Sequence, residues 1–535
     1  MLRGKLSAMM FLEFFIWGAW LPIIFGYLPA RGFSAKAPAW ILESCPEWSA
    51  TIVNAFFSEQ SWILNAFAIA SFVGMFFSNQ FADRTFAAEK FLAVSHFIGG
   101  LAFLGLFWAQ GFWQFFILML VHCLFYVPTI SITNSIAFAN LKDPANEFGP
   151  VRLWGTIGWI AAAFPYMYAP ARENMFFLAG GSSILLAIFS LTLPHTPPKP
   201  AVAGESSLAW LEAAKYLANP FIFVLYIVTF IDAMVHQGYF VLTETYLQDI
   251  GISARYTSTV MSVGQIAEIG TMAILGYFLK SLGWRKTMIL GILGHTIRFG
   301  VFALFPNQVP VVASILLHGV CYAFFFATVY IFIDEFLPKD ARSSAQGLFN
   351  FLILGVGPFV GNLVWPAVMD MHKDTTVVVA VAQQDSGQKL VATSNIPFPE
   401  QKFQLTYEYV APGEKPAPEG DGPQSEPAYF DGGNDVKVDL GEAKPGTYKF
   451  ASIPVKRTFW LAGERTMFLR IPDLEIKKDD DAAKIEPKKG ALPNYQRMFL
   501  YPSGTALVAA LMLLLFFFPP KTAGSEKKSP TAMAH

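Results

Sequence analysis

An acidic residue stands inside an apolar stretch of this chain. Glu268 lies eight residues into the run from Val260 to Leu279, and no Lys or Arg stands beside it. A charged side chain at bilayer depth costs about 3 kcal/mol, so a carboxyl retained there is expected to have a function. Because burial favours the neutral form of a carboxyl, we expect Glu268 to take up and release a proton near neutral pH. A neutral Glu that hydrogen-bonds a neighbouring helix is the structural alternative.

Other apolar segments carry polar and aromatic side chains at helical spacing. Residues three, four or seven apart share one face of a helix. Three such groups occur, namely Arg152, Thr156 and Trp159; Gln237 and Phe240; and Gln265 with Glu268. A guanidinium, a hydroxyl, amides and rings suit a neutral, hydroxylated and aromatic ligand, so we predict that they line a polar cavity. In the structural alternatives, Arg152 only anchors a helix end after Pro150, and the glutamines hydrogen-bond helix to helix.

Further titratable residues are interpreted as structural. Asp232 and His236 are four residues apart and could pair within one helix. The remaining candidates are scattered through separate apolar runs, and we interpret them as packing or helix-end residues: His122, His295, Arg298 and His318.

The composition is that of a membrane protein. Of 535 residues, 54% are hydrophobic and 14% are charged, against about 25% charged in soluble domains. The net charge of −1 indicates no nucleic-acid partner. The three cysteines give no disulfide framework or metal spacing, and no catalytic constellation or phosphate-binding glycine loop is present. We therefore predict neither an enzyme nor a cofactor.

The apolar runs predict twelve membrane helices, because a span needs about 20 residues. They lie at approximately 6–29, 57–81, 89–110, 113–138, 151–172, 175–194, 219–245, 257–279, 286–306, 309–334, 343–370 and 497–518. The first carries Glu13, Trp17 and Trp20 and no small-residue cleavage site, so we expect a retained helix and not a signal peptide. Basic short loops place both termini in the cytoplasm under the positive-inside rule.

A polar segment interrupts this pattern at 371–496. Gly, Pro and Asp clusters separate short β-branched runs, which is typical of strands and turns. The runs are Thr376–Val381, Phe403–Val410, Val436–Leu440, Thr447–Ile453, Thr458–Leu461 and Thr466–Ile471. We predict a small extracytoplasmic β-rich insert, with Lys477–Lys489 as a linker. The other predicted units are an N-terminal half at 1–195, a cytoplasmic linker at 196–218, helices seven to eleven at 219–370, helix twelve at 497–518 and a cytoplasmic tail at 519–535.

Two loops resemble each other at corresponding places in the two halves. Asn79–Arg84 follows the second span, and Gly276–Lys286 follows the eighth. Both are similar to the loop signature of the major facilitator superfamily, in which two six-helix halves rock around a midplane site. The first copy has Asn79 where Gly is typical, and the second has Lys280 at the acidic position.

Several segments further resemble the nucleoside:proton symporter family within that superfamily. They are Phe11–Trp20, Tyr126–Thr129, Val151–Gly158, Leu191–His195, Met261–Glu268 and Arg342–Gly347. The resemblance covers about 5–370 and not the insert. It implies an all-α, twelve-helix fold in a bacterial inner membrane that imports nucleosides with protons by alternating access.

The family resemblance also implies which residues bind substrate and protons. The implied substrate-binding residues are Arg152, Thr156, Trp159, Gln237, Phe240, Gln265, Glu268 and Tyr322, and the implied proton-coupling residues are Glu268 and Glu13. The chain departs from the family pattern at four places. Trp159 replaces a Phe, Phe240 an Asn, Glu13 a Gln, and Ala323 an Asp on helix ten. The last departure could alter ribose binding, substrate preference or proton coupling.

Two other functions stay open from the sequence. Sugar or oligosaccharide:proton symporters also carry an Arg and an aromatic residue on helix five, and Ala323 keeps this alternative in play. The second is a non-transporting receptor or assembly protein whose insert binds a partner that the sequence does not identify. The expected partners are otherwise a nucleoside, protons and the lipid bilayer.

Overall fold

The computed structural model of the chain describes residues 2–519 except for 47–48, 78–85, 199–213, 338, 385–386, 415–423, 479, 481 and 483–484. Three sequence predictions therefore fall wholly or largely outside the described residues. They are the first copy of the loop signature, Asn79–Arg84; most of the linker at 196–218; and the tail beyond 519.

The described chain is mostly helical. Its α-helices are α1 (Leu2–Arg31), α2 (Ala39–Leu42), α3 (Ala50–Phe57), α4 (Glu59–Phe77), α5 (Ala88–Gly105), α6 (Phe112–Asn140), α7 (Pro144–Ala161), α8 (Pro165–Tyr168), α9 (Asn174–Ser190), α10 (Pro220–Asp249), α11 (Ala254–Leu304), α12 (Gln308–Ile315), α13 (Leu317–Cys321), α14 (Thr328–Phe336), α15 (Lys339–Asn350), α16 (Gly357–Met371) and α17 (Tyr495–Phe516). Short 3-10 turns lie at Leu106–Trp108 and Lys215–Ala218, and π-helical turns lie at Tyr322–Ala327 and Phe351–Val356.

Within the described residues, eight helical segments are long and apolar enough to cross a membrane. They are Leu2–Arg31, Ala88–Trp108, Phe112–Asn140, Pro220–Asp249, Ala254–Leu304, Gln308–Phe336, Ala345–Met371 and Tyr495–Phe516. The 51-residue segment Ala254–Leu304 contains two of the predicted spans, 257–279 and 286–306. Gly283 breaks it with a backbone φ of 72°, a conformation that glycine adopts without steric cost. The chain is therefore a multi-pass membrane protein.

Glycines let the helices around the centre of the bundle approach closely. Gly158 of α7 lies against the backbone of α1, where a Cβ atom would overlap the carbonyl oxygen of Phe11. Gly18 of α1 lies in turn against the backbone of Trp159. This reciprocal contact fixes the face of α7 that carries Arg152, Thr156 and Trp159 against the first helix.

Eleven strands lie between α16 and α17 within the described residues. They are β1 (Lys373–Gln384), β2 (Gly387–Ile396), β3 (Lys402–Leu405), β4 (Tyr407–Val410), β5 (Ala428–Asp431), β6 (Gly433–Glu442), β7 (Gly446–Phe450), β8 (Ile453–Phe459), β9 (Gly463–Leu469), β10 (Leu474–Ile476) and β11 (Lys488–Pro493). All pairs are antiparallel, in four sheets of order β11-β1-β2-β6, β10-β7-β4, β3-β5 and β8-β9. Below, these strands are called the strand region.

The strands differ in detail from those expected. Thr376–Val381 lies inside β1, and Val436–Leu440 lies inside β6. Phe403–Val410 is divided at Thr406 between β3 and β4. Thr447–Ile453 contains most of β7 and ends at the first residue of β8. The sequence reading missed β2, β5, β10 and β11, and the last of these begins within the expected linker. The length of the runs and the alternation of residue types indicated which residues form strands. The turns of the structure, however, divide these residues into strands at other positions than those predicted.

The strand region is anchored to the end of α10. Arg470 donates from Nε and Nη2 to Oδ1 of Asp249 at 3.0 and 2.8 Å, and it also contacts Gln248. The hydroxyl of Tyr495, at the start of α17, donates to the other Asp249 oxygen at 2.6 Å. Asp249 is only 2% exposed, so a buried carboxylate with several donors joins α10, α17 and the strands.

We expect the Gly158→Ala substitution to destabilise the helical bundle. The added methyl group would meet the α1 backbone, and overpacking of this kind costs about 1–3 kcal/mol. Gly181→Ala is the matched control, because a Cβ atom at Gly181 of α9 meets no atom within 4 Å. Thermal unfolding in detergent should show a lower midpoint for Gly158→Ala than for Gly181→Ala. Equal midpoints would contradict the close packing of α1 against α7.

Candidate functional site

A cavity of about 390 Å³ lies at the centre of the helical bundle. The structure places all eight sequence-predicted substrate residues in its wall: Arg152, Thr156, Trp159, Gln237, Phe240, Gln265, Glu268 and Tyr322. They come from α7, α10, α11 and the π-helical turn that follows α13. Segments more than 100 residues apart in the chain thus converge on one space.

Aromatic rings form one side of the cavity. The ring of Trp159 lies 5.4 Å from that of Trp17 and 6.2 Å from that of Phe240, both in edge-to-face geometry. Trp17 stacks on Phe67 at 5.0 Å. Flat rings held in this way present faces on which a planar aromatic ligand can stack.

The Arg152 guanidinium lies at the α7 wall. Its central carbon is 3.8 Å from the centre of the Phe14 ring, which is a cation–π contact. The contact holds the side chain along α1, although its Nε has no hydrogen-bond partner among the described residues. This geometry leaves donors available for an oxygen or nitrogen acceptor in the cavity.

Amide side chains face the cavity from α10, α11 and α16. Nε2 of Gln237 donates to Oδ1 of Asn362 at 2.8 Å. Asn362 donates in turn to the carbonyl oxygen of Leu64 at 3.0 Å and to Oδ1 of Asn65 at 3.2 Å. Gln265 approaches His318, with their Nε2 atoms 3.3 Å apart, and its Oε1 has no partner among the described residues. One amide is thus held by a neighbour, and the other has acceptor capacity left.

Glu268 reaches the cavity because α11 and α13 are in close contact. A Cβ atom at Gly319 would overlap the backbone nitrogen of Glu268 and the carbonyl carbon of Ala267. The glycine therefore allows the α11 backbone to lie directly on α13. Glu268 and Tyr322, which follows α13 directly, both line the cavity.

Glu13 lies outside the described cavity wall, in a separate buried contact. It has no exposed surface, and its Oε2 lies 2.8 Å from Nε2 of His96. Thr129 donates to its Oε1 at 2.8 Å, and Nδ1 of His96 lies 3.0 Å from the Ser183 hydroxyl. Both carboxyl oxygens of Glu13 are therefore partnered. The sequence reading missed His96, whose only signal was a titratable side chain in an apolar run.

Several other cavity residues were missed or interpreted otherwise from the sequence. The cavity wall also contains Ser131, Asn134, His236, His318, Tyr330, Gln346, Asn350 and Asn362. Asn134 and Asn362 could have been found as amides within apolar runs. The structure places His236 and His318 in the cavity wall. Ala323 lies in a buried cluster with Leu275 and Phe324 and is not in the described cavity wall.

Helices from the N-terminal part of the chain, such as α1 and α7, and later helices, such as α10 and α11, together enclose this polar and aromatic cavity. Secondary transporters have this arrangement. Two solved structures share the fold of this chain. The chain aligns with the crystal structure of the nucleoside transporter NupG (D323A mutant) at a TM-score of 0.60 and 24% identity, over 70% of this chain and 92% of that one. A D-xylose-proton symporter aligns at a TM-score of 0.53 and 14% identity, over 69% and 91% of the two chains.

Sequence comparison gives the family. The family model described as "Nucleoside H+ symporter" matches residues 1–60 and 47–382. The protein named "Putative nucleoside transporter YegT" of Escherichia coli (strain K12) is 33% identical over 382 residues, which are 69% of this chain and 84% of that protein. Xanthosine permease of the same organism is 26% identical over 387 residues, covering 68% and 87%. The chain belongs to the nucleoside H+ symporter family, which confirms the resemblance drawn from its motifs.

We expect Glu13→Ala to destabilise the protein strongly. Removing one member of a buried pair leaves the partner without compensation, at a cost of about 3–5 kcal/mol. Glu13→Gln retains an oxygen for Thr129 and should cost less. Unfolding midpoints in detergent would check the order wild type, Glu13→Gln, Glu13→Ala. A Glu13→Ala protein as stable as the wild type would contradict the buried contact with His96.

Proposed function

We propose that this protein imports nucleosides together with protons across the cytoplasmic membrane of a bacterium, by alternating access. The observation that carries the proposal is the convergence of all eight implied substrate residues on one central cavity in a member of the nucleoside H+ symporter family. Relatives that match this chain over most of their own length are named as nucleoside transporters or permeases. One of them is Nucleoside permease NupG of Escherichia coli (strain K12).

A nucleoside offers a flat base and a hydroxylated sugar, and the cavity has groups for both. We assign the base to the ring faces of Trp159 and Phe240, because stacking accepts any flat heterocycle. The amides of Gln237 and Gln265 and the Thr156 hydroxyl supply donors and acceptors for the sugar and for the base edge. The guanidinium of Arg152 adds hydrogen-bond donors for acceptor atoms of the base or the sugar. Tyr322 completes the wall beside Glu268.

Proton coupling is assigned first to Glu268. This carboxyl lines the same cavity as the substrate residues, so a change in its charge acts directly on the bound nucleoside. The buried Glu13 is a second proton-coupling candidate, acting through His96 away from the substrate.

Alternating access requires two halves that move relative to each other. We assign the halves to 1–195 and to 219–370 with 497–518, twelve spans in all, joined by a cytoplasmic linker at 196–218. The strand region at 371–496 is then extracytoplasmic, and both termini, with the tail at 519–535, are cytoplasmic. Two contacts support closure on the side of the strand region. Arg172 donates to Glu244 at 2.8 Å, and Glu244 lies directly on Gly26 of α1.

The alternatives are less well supported. The D-xylose-proton symporter shares only 14% identity with this chain, which speaks for the fold and not for the substrate. A receptor or assembly protein would not need a polar, aromatic cavity whose wall unites α1, α7, α10 and α11. Any partner of the strand region would act in addition to transport.

The experiment that tests the proposal is labelled uridine uptake in a transport-deficient bacterial strain expressing the full chain. We expect concentrative uptake that a protonophore abolishes and that unlabelled nucleosides compete. Free nucleobase, ribose and disaccharide should compete weakly, because each lacks one half of the ligand. Strong competition by a disaccharide alone would favour the sugar alternative, and a lack of any uptake at wild-type membrane levels would contradict the proposal.

In the same assay, Glu268→Gln should lose proton-driven accumulation. The neutral amide is similar in size but cannot exchange a proton, so uptake should fall to the level of wild-type cells treated with protonophore. Nucleoside counterflow, which needs no net proton movement, should persist. Glu43→Gln is the matched control, since Glu43 is exposed and is not among the residues of the cavity wall. Full proton-driven accumulation by Glu268→Gln would exclude a coupling role for Glu268.

Removal of the strand region should leave uptake in place. Lys373 at its start pairs directly with Pro493 at its end, so a short Gly-Ser linker can bridge the deletion of residues 373–493. The deletion frees Asp249 from Arg470 but leaves Tyr495 as a donor, so we expect reduced stability with uridine uptake retained. Uptake per molecule and the unfolding midpoint check these outcomes. Complete loss of transport in a folded deletion protein would make the strand region part of the transport machinery.

A further inference from the structure

A second group of polar side chains lies behind the cavity wall, between α10, α11 and α13. Asp232, His295 and Arg298 are fully buried, and His318 is 2% exposed. His236 shares α10 with Asp232, one turn away, and lines the cavity. An arginine, a carboxyl and three histidines at this depth are costly to keep in a membrane helix bundle, so a role beyond packing is expected.

Arg298 fixes the protonation of two of these histidines. Its Nη1 lies 3.1 Å from Nδ1 of His318, and its Nη2 lies 2.8 Å from Nδ1 of His295. A guanidinium can only donate hydrogen bonds, so both Nδ1 atoms must accept. Each ring is therefore neutral and carries its proton on Nε2. The guanidinium also lies 4.4 Å from the centre of the Tyr239 ring, which further orients it.

The two Nε2–H groups point in different directions. That of His295 faces Oδ1 of Asp232 at 3.7 Å. That of His318 faces the side-chain amide of Gln265 at 3.3 Å. Amide oxygen and nitrogen positions are interchangeable in such a network, and the oxygen of Gln265 otherwise has no partner among the described residues. With that oxygen as acceptor, Arg298 connects Asp232 to an amide of the substrate cavity.

Asp232 itself is only weakly compensated. Among the described residues, neither of its carboxyl oxygens has a hydrogen-bond partner. A buried carboxylate without donors is costly, and protonation removes the cost. The Arg298 charge opposes that effect, but its Nη1 and Nη2 donors are already directed at the histidines. The carboxyl therefore stands between a cation that favours ionisation and an apolar surrounding that favours the acid.

Few other titratable groups face this site. Two neutral ones are Tyr239 of α10, whose ring lies under the Arg298 guanidinium, and the buried Cys321 of α13. The other helices packed on α10 carry further titratable residues. They are Asp370 in α16; Tyr495, Arg497 and Tyr501 in α17; Arg3, Lys5, Glu13, Tyr27 and Arg31 in α1; and, in the part of α11 that lines the cavity, Glu268. A change in the charge of Asp232 acts on Arg298 and, through the contacts of Arg298, on His295 and His318.

We propose that Asp232 is a second proton-binding carboxyl of the transport cycle, reached from the cavity through His236 and linked to the substrate site through Arg298, His318 and Gln265. This rests on the proposed function and extends it. Among the described residues, Nδ1 of His236 has no hydrogen-bond partner and does not bond Asp232 directly. A proton therefore passes from cavity water to the His236 ring and then, through a water that enters between the two side chains, to a carboxyl oxygen of Asp232, and it leaves by the same route when the cavity faces the other side. Only N–H and O–H bonds form and break, and the cluster gains or loses one charge.

The linkage has a direct physical basis. When Asp232 is ionised, it attracts Arg298, which weakens the bond from Nη1 to His318. When Asp232 is protonated, Arg298 is free to hold His318 in place, and the His318 Nε2–H then presents a donor to Gln265. The orientation of the Gln265 amide, and with it the donor or acceptor offered to the nucleoside, follows the protonation of Asp232. Asp232 is therefore a positioning residue with respect to substrate.

Infrared difference spectroscopy of the full-length protein tests the proposal without any nucleoside. Acidifying the wild-type protein in lipid should increase the carbonyl absorption of a protonated carboxylic acid. Asp232→Asn should lack one component of that change, while Asp370→Asn, which alters an exposed aspartate at the end of α16, should retain it. Identical difference spectra for Asp232→Asn and the wild type would overturn the proposal.

A measurement on the wild type keeps the test valid if Asp232→Asn does not fold. Between about pH 8 and pH 6, exposed aspartates stay ionised, because their pKa is about 3.9. In protein labelled with carbon-13 at the aspartate carboxyl, part of the absorption gained over that range should shift, whereas glutamate carboxyls would be unaffected. An unshifted band would mean that no buried aspartate titrates there and would overturn the proposal. Because these spectra need no substrate, they stay informative even if uridine is not transported.

Transport assays then separate the linkage from a purely structural role. In proteoliposomes with an imposed pH gradient, Asp232→Asn should reduce accumulation at least tenfold while leaving nucleoside counterflow within about twofold of wild type. Asp232→Glu, which keeps a carboxyl, should recover part of the accumulation. Equal loss of accumulation and counterflow in a folded protein would show a structural role and overturn the linkage.

Discussion

The cost of leaving a polar side chain without a partner inside a membrane constrains most of what is distinctive in this protein. The bilayer offers no water to a carboxyl or a guanidinium, so each one must find a donor, an acceptor or a hydrated cavity. Glu13 finds His96 and Thr129, and Arg298 finds two histidines. Glu268 finds the cavity. Buried charged residues therefore occur where a neighbouring helix supplies a partner or where the cavity is within reach.

Glycine packing and the polar contacts depend on each other. Gly158 brings α7 onto α1, and Gly319 brings α13 onto α11. These approaches place the Arg152 and Glu268 side chains on the same space, although 116 positions of sequence separate them. Polar residues concentrated in that space would be costly if the helices stood apart, because each would then face lipid.

The sequence predicted which residues share one face of a helix, but it did not predict which side chains on different helices contact each other. Helical spacing alone grouped Arg152 with Trp159 and Gln265 with Glu268, since a regular helix converts spacing into direction. The ligand of Glu13 could not be read in this way, because His96 lies on another helix 83 residues away. Likewise, His295, Arg298 and His318 looked scattered until packing brought them together. Long-range contacts depend on helix order and crossing, which local periodicity does not encode.

The strand region shows the same limit on a smaller scale. Alternation identified β-forming residues, but Thr406 separates β3 from β4 within one run. Strands β2 and β5 were missed because their polar residues match no simple alternation, and their pairing with β1, β6 and β3 supplies the missing stabilisation. Tertiary pairing overrides weak local preference in strands more readily than in long apolar helices.

The pairing of Lys373 with Pro493 has a consequence for how such a chain could arise. Because the strand region leaves the bundle and returns at neighbouring positions of one antiparallel pair, α16 and α17 are spaced as they would be with a tight turn between them. A long excursion of the chain therefore imposes almost no closure entropy on the helices. The point between these two helices is therefore a position at which a folded module fits into the chain without changing the path of either helix.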